Sequence, residues 1–466
     1  MLGMGNMRQW LMNISLVGGW FPAAAFAVVA VLSVTLLVSA AVSKRDGRIL
    51  ATVLPIGVAA VSGMVGYVVA WLLSDVFVVF GVGLGSRVMS WVAAGFAIAG
   101  FAIVHIVLSR GMMRVAAAIL TVFAILAAAI GIDQSYGEYA TIGSLFGEDS
   151  SSQADLTGLA KRKDLITVAQ WRKQAANGTI RNIPANGTVN KIDIPATKSQ
   201  FEARKALVYL PPAALADSKR KPALPVVLML SGQPGSPGRV FQAGGIQTMM
   251  DGYAKTHDGL APIVIAADQL GADSHNTLCV DSKVYGNALT YLTQDVVDWV
   301  KTNLPAAQDA KDWAIAGFSQ GATCSLQIGV NHPDLFGTMI PTDSEIKPTN
   351  GSRQEMIDRF FDGDTTAYEN QVPVNAIRNH APTHQMLIIG AGEKDTTSIR
   401  NVKTIAPVAA KAGMRVAAVE SSGNAHDWHA VQDVLRYGLA VFGHDTGLDG
   451  ANPNLSDYPN LKRITI

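Results

Sequence analysis

Trp313-Ala314-Ile315-Ala316-Gly317-Phe318-Ser319-Gln320-Gly321 decides how the last two thirds of this 466-residue chain is read. Trp313 to Phe318 is a short, dense apolar run, the pattern of a strand buried on both faces of a parallel sheet. It ends in a Gly-x-Ser-x-Gly pentad, and a helical stretch follows from about Ala322 to Asn331. A serine between a strand and a helix in that pentad sits where a nucleophile elbow requires it. The turn is tight, so residues without bulk are needed two positions either side, hence Gly317 and Gly321. The hydroxyl is then raised above the sheet edge. The helix N-terminus behind it favours developing negative charge.

Outward from this segment the pattern alternates between strand and helix. Gly187 to Pro195 and Ala203 to Leu210 read as an opening antiparallel pair. Pro225 to Leu230, Pro262 to Ala267, Phe336 to Pro341, Gln385 to Gly390 and Val416 to Glu420 read as further strands, and Ala288 to Leu304 as another helix. Such alternation predicts an α/β fold, a mostly parallel sheet with helices on both faces. The expected catalytic domain, an α/β-hydrolase, spans 191–466.

A serine hydroxyl needs a base, and the base needs an orienting acid. In this architecture they follow the serine in the order acid, then histidine. The strand ending at Gly390 breaks into Ala391-Gly392-Glu393-Lys394-Asp395. Asp395 is preferred as the acid and Glu393 is the alternative. After the last strand comes Ser422-Gly423-Asn424-Ala425-His426-Asp427-Trp428-His429. His426 is preferred as the base over His429. His426 and His429 have the spacing of a metal pair, but no third ligand presents itself. The oxyanion hole needs two backbone N–H groups. Gln320 supplies one. Gln233, in the loop Ser231 to Gly238, supplies the other, because Pro234 has no N–H to give. Asp268 to Ser282 reads as the rim of the site. A Cys279–Cys324 disulfide would tie that rim to the nucleophile helix, with Cys324 as a buried free thiol the alternative. Asp281 reads as a helix N-cap rather than a ligand for a cationic group.

The first part of the chain has a different chemistry. Overall 49% of residues are hydrophobic and 16% charged, against about 25% charged in an ordinary soluble domain. Up to Ile132 the only acidic residues are Asp46 and Asp75. Four apolar runs, about Trp20 to Val42, Ile49 to Leu73, Val88 to Leu108 and Val115 to Ile132, each approach the roughly 20 residues needed to cross a bilayer. They predict an all-α transmembrane domain over 1–132. Gly63, Gly66, Gly95 and Gly100 would let the helices pack closely. His105 is the one ionisable residue inside a span, too little for an ion path. Lys44, Arg45 and Arg48 lie in the first loop and Arg110 and Arg114 in the third, whereas the second holds Asp75, Arg87 and an apolar stretch from Val76 to Val82. Basic loops stay cytoplasmic, so everything after Ile132 is expected outside. Residues 133–190 are polar, Ser-rich at Ser150 to Ser152, and read as a linker with a short helix near Leu165 to Ala176. The Asn-Gly-Thr triplets at Asn177 and Asn186 read as turns. The net charge of +1, without a basic stripe, argues against a nucleic-acid partner.

Ile194-Pro195 to Val208-Tyr209-Leu210-Pro211-Pro212, Gly317 to Gly321 and Gly423 to Trp428 together resemble the esterase family of α/β-hydrolases. That family includes esterase D, the feruloyl esterases and the antigen 85 mycolyltransferases, and the resemblance covers about Gly187 to Gly443. It implies Ser319 as nucleophile, Asp395 as acid, His426 as base and no cofactor. Glu393 as the acid would match the mycolyltransferases. The family's usual His-Gly at the oxyanion loop is Ser231-Gly232 here. Known mycolyltransferases are secreted by a signal peptide, whereas this chain carries an anchor. The expected function is a membrane-anchored extracytoplasmic serine esterase acting on lipid or cell-envelope esters. The alternatives are an acyltransferase moving the acyl group to a sugar or other alcohol and, from another class, a non-catalytic membrane scaffold. Membrane lipids are the expected partners.

Overall fold

A computed structural model of the chain describes residues 7–8, 10–42, 48–77, 84–146, 152–153, 155–159, 164–180, 182–218 and 220–466. Lys44, Arg45, Asp46, Val78, Val79, Val82, Ser150 and Ser151 lie outside the described residues. The chain divides into two compact units, Met1–Glu148 with Ala425–Asp427, and Asp149–Asn424 with Trp428–Ile466.

Among the described residues, the first unit carries four helices long and apolar enough to cross a membrane. They are α1 (Trp20–Ala41), α2 (Arg48–Trp71), α3 (Gly85–Leu108) and α4 (Met112–Tyr136). A π-helical turn, Leu72–Val76, continues α2. Helix α4 runs past Ile132 and stops where Gly137 turns left-handed (φ 68°), the usual C-terminal glycine device. Val31, Val34, Val61, Val122 and Ile125 are all exposed. Apolar side chains presented outward on long helices suit association with a membrane. The helices approach closely: a Cβ on Gly131 would lie 2.2 Å from the Trp91 ring. His105 is buried and packs against Phe101 with ring centroids 4.6 Å apart.

The second unit is built on a ten-stranded sheet. Its strands are β1 (Ser152–Gln153), β2 (Thr188–Ile192), β3 (Ala206–Leu210), β4 (Val226–Leu230), β5 (Ile263–Ala266), β6 (Trp313–Phe318), β7 (Thr338–Thr342), β8 (Met386–Gly392), β9 (Arg415–Ser421) and β10 (Leu461–Arg463). In space they run β1-β2-β3-β5-β4-β6-β7-β8-β9-β10. From β5 through β4, β6, β7 and β8 to β9 all pairs are parallel. The β2–β3, β3–β5 and β9–β10 pairs are antiparallel. This is the α/β-hydrolase arrangement. The chain alternates across it as a two-faced strand must. Val226, Leu228, Trp313 and Ile315 enter one core, and Val227, Met229, Ala314 and Ala316 enter the other.

Helix α5 (Gln320–Asn331) and α6 (Thr396–Lys411) cover the first face, and α7 (Trp428–Asp445) the second. The helix expected from Ala288 to Leu304 is interrupted by a π-helical turn at Tyr291–Asp295. The stretch read as a linker is partly built into this unit, which corrects the 133–190 boundary. Leu156, Ile166 and Trp171 join the first core, and β1 pairs with β2. Trp171 is fully buried, and its indole N–H donates to the Asp258 carbonyl at 3.1 Å. Its apolar area is withdrawn from water although its sequence neighbours are polar.

Truncating a buried Trp to Ala costs about 3–5 kcal/mol. Trp171→Ala is therefore expected to lower the urea-unfolding free energy of the detergent-solubilised protein by that order, seen as a lower midpoint at unchanged slope. A true linker tryptophan would leave the midpoint within experimental error.

Candidate active site

Strand β6 delivers Ser319 at φ 55° and ψ −116°, as the residue before α5. Left-handed backbone is costly for a residue with a Cβ, so the surroundings must hold it. They do so through the Ser319 N–H, which donates to the Thr342 carbonyl at the end of β7 (3.0 Å). They also require two glycines. A Cβ on Gly317 would lie 2.2 Å from the Gly321 carbonyl, and one on Gly321 would lie 2.3 Å from the Ser231 carbonyl.

The neighbouring strand ends carry the titratable groups. Asp395 is buried and caps α6, accepting from the N–H groups of Thr397 (3.1 Å) and Ser398 (3.0 Å). His426 lies on the β9–α7 loop. Asp343, just beyond β7, is fully buried. Asp343, Asp395 and His426 each bring a potential ligand atom within 4.8 Å of the others. Two carboxylates and an imidazole could also hold a divalent cation. An ion there would compete with proton transfer for the same atoms. His429, the rival base, is on the first turn of α7 and is outside this group.

Glu393 is placed elsewhere. It pairs with Lys462 at 2.9 Å and accepts from the Gly423 N–H at 2.7 Å. The Lys462 hydrogen bond, then the Gly423 N–H, hold its carboxyl below the usual range. Its visible work is to fasten the histidine loop. That loop is fixed further by Lys394 N–H to the Asn424 carbonyl (2.8 Å) and by Asn424 Nδ2 to Asp433 (3.2 Å). Trp428 then packs against Phe318, ring centroids 5.0 Å apart, joining the end of the loop to the elbow.

The oxyanion loop is close to the serine: a Cβ on Gly232 would lie 3.5 Å from the Ser319 Cβ. Gln269 Nε2 donates to the Ser231 carbonyl at 2.7 Å and to Gln320 Oε1 at 3.2 Å, linking that loop to the residue after the serine. Gln233 Nε2 reaches the Ser274 carbonyl on the rim at 3.3 Å. Cys279 and Cys324 are joined by a disulfide, S–S 2.06 Å, which ties the rim to α5. Asp281 accepts from the N–H and hydroxyl of Thr290, a local cap.

Two functional candidates escaped the sequence reading. Asp343 follows Pro341-Thr342 with no motif around it. Arg204 grips the fully buried Asp268 with its Nε (2.9 Å) and an Nη (2.7 Å), and the same Nη donates to the Gly235 carbonyl at 2.9 Å. It thus pins the oxyanion loop to the end of β5.

The family model of the Esterase family matches residues 198–438. An uncharacterized protein of Corynebacterium glutamicum is 31% identical over 330 residues, 70% of this chain and 74% of that protein. An S-formylglutathione hydrolase from Agrobacterium tumefaciens is 16% identical and superposes with a TM-score of 0.46 over 57% of this chain and 99% of its own. A ferulic acid esterase from Anaeromyces mucronatus is 18% identical, with a TM-score of 0.42 over 56% and 91%.

Breaking a buried ion pair from one side costs about 3–5 kcal/mol. Arg204→Gln is expected to lose about 3 kcal/mol in urea unfolding, the low end because the guanidinium is partly exposed. Arg204→Lys should recover only part of that loss, since an ammonium cannot form the two-pronged contact. Full recovery by lysine would contradict the assigned geometry.

Proposed function

This chain belongs to the Esterase family, and from that premise we propose that it is a membrane-anchored serine esterase whose acyl-enzyme forms on Ser319. Family membership makes it a hydrolase or acyltransferase. The single observation that carries the finer reading is the meeting of Asp395 and His426, on the loops after β8 and β9, in a sheet whose β6 delivers a serine held at φ 55°. Ser319 Oγ attacks the ester carbonyl as His426 takes its proton. The N–H groups of Gln320 and Gln233 stabilise the oxyanion. The protonated His426 then returns the proton to the departing alcohol. Water repeats the sequence in reverse and releases the acid. Asp395 holds the imidazole in the productive tautomer and stabilises its charged form.

The catalytic unit is assigned to the extracytoplasmic side. Lys44, Arg45 and Arg48 around the start of α2, and Arg110 and Arg114 around the start of α4, favour a cytoplasmic location for those two connections. The Cys279–Cys324 disulfide supports the same side, because such bonds persist in oxidising compartments. The substrates are carboxylic esters of lipids or of the cell envelope, within reach of an enzyme anchored by four helices. An alcohol entering in place of water would make the same acyl-enzyme an acyltransferase.

A fluorophosphonate probe reacts with an activated serine. Wild-type membranes are expected to label, and Ser319→Ala membranes to show no labelled band. Labelling of both would move the nucleophile elsewhere. Failure of both in folded protein would favour the scaffold reading. For sidedness, alkaline phosphatase fused after Leu145 should be active in bacterial cells, and fused after Ser109 inactive. The reverse pattern would place the catalytic unit in the cytoplasm.

A further inference from the structure

Asp343 is placed with the same care as Ser319. Both follow a central parallel strand, and both have a left-handed backbone, φ 55° in each case. Aspartate tolerates that conformation better than most residues, but it is still uncommon. The Asp343 N–H donates to the Gly390 carbonyl of β8 at 2.9 Å. Its Oδ1 accepts from the Gly392 N–H, two residues further on, at 2.9 Å. Thr342, immediately before it, supplies the carbonyl that holds the Ser319 N–H. Asp343 thus joins the elbow to the strand that leads into Asp395.

A residue needed only to hold Gly392 would do so as a neutral amide, since a side-chain oxygen is all that bond uses. A carboxylate is costly to bury. Here it lies within 4.8 Å of both Asp395 and His426. An imidazole that becomes cationic during turnover is stabilised by nearby negative charge. We propose that Asp343 is a second positioning acid for His426, sharing with Asp395 the orientation and charge stabilisation of the imidazole. The inference rests on Ser319 and His426 acting as proposed above. Asp395 is committed to the first turn of α6 through Thr397 and Ser398, and Asp343 approaches from the end of β7. The histidine is held from two elements rather than one. Loss of either acid leaves the other in place.

The test uses the full chain in detergent, with Asp343→Asn, Asp395→Asn and the double variant. Each is read by kcat and KM on a p-nitrophenyl ester, by fluorophosphonate labelling rate and by melting temperature. Asn keeps the bond to Gly392 and removes only the charge. Where a lone acid orients the histidine, its replacement by Asn costs about 10⁴-fold in kcat. With two acids, Asp395→Asn is expected to lose no more than about 100-fold, with KM within about twofold, and Asp343→Asn about 10-fold. The double variant should lose at least about 10-fold more than the product of the singles. A purely structural Asp343 would lower the melting temperature and leave the two losses multiplicative. That result overturns the inference, as does a full loss in Asp395→Asn alone. The latter decides the matter even if Asp343→Asn fails to fold. Absence of labelling in the wild type would instead defeat the serine-enzyme reading beneath it.

Discussion

The hydrogen bond from the Ser319 N–H to the Thr342 carbonyl, 3.0 Å long, is the joint on which the site depends. It fastens a left-handed serine to the end of the next strand. It can form only because Gly317 and Gly321 leave room for the chain to fold back upon itself. From there each element is tied to its neighbour. Asp343 bonds to β8 through main chain and side chain, β8 leads into the Asp395 cap, and the histidine loop is fastened to the same turn by Glu393 and Lys394. A parallel sheet aligns these strand ends on one edge, so groups distant in sequence converge without a long loop to carry them. Such fixed geometry is what lets dipoles and charges act without reorganising during reaction.

The two units differ in composition and in where they place their apolar residues. In the helical unit, long helices satisfy their own backbone and present valine and isoleucine outward, the combination that a bilayer-spanning segment requires. In the α/β unit the same residue types alternate across a sheet and are covered on both faces.

Much of this was legible in the sequence because strong local patterns carry it. The strand Trp313–Phe318 was read with its observed bounds, and the four spans fell within a few residues of α1 to α4, since dense apolar runs and glycine punctuation are local signals. Ser319, Asp395 and His426 could be named as candidates because the chain order of such groups follows the strand order in this architecture. Trp171 was not, because its burial depends on a partner 87 residues away and its neighbours are polar. Arg204 was not, because its carboxylate partner is 64 residues distant. Asp343 has no motif of its own; its place follows from pairing of β7 with β8. The π-helical turn at Tyr291–Asp295 interrupts an apolar pattern that fits an unbroken helix equally well.

Ser319 is the residue proposed to carry the acyl group. The most direct test of that role is intact-protein and peptide mass spectrometry after rapid acid quench of the enzyme with a p-nitrophenyl ester. A burst of p-nitrophenol matching the enzyme concentration is expected, with one acyl mass added to the peptide that holds Gly317 to Gly321. An acyl adduct on another residue would contradict it, as would ester turnover with no burst and no adduct under a quench fast enough to trap one.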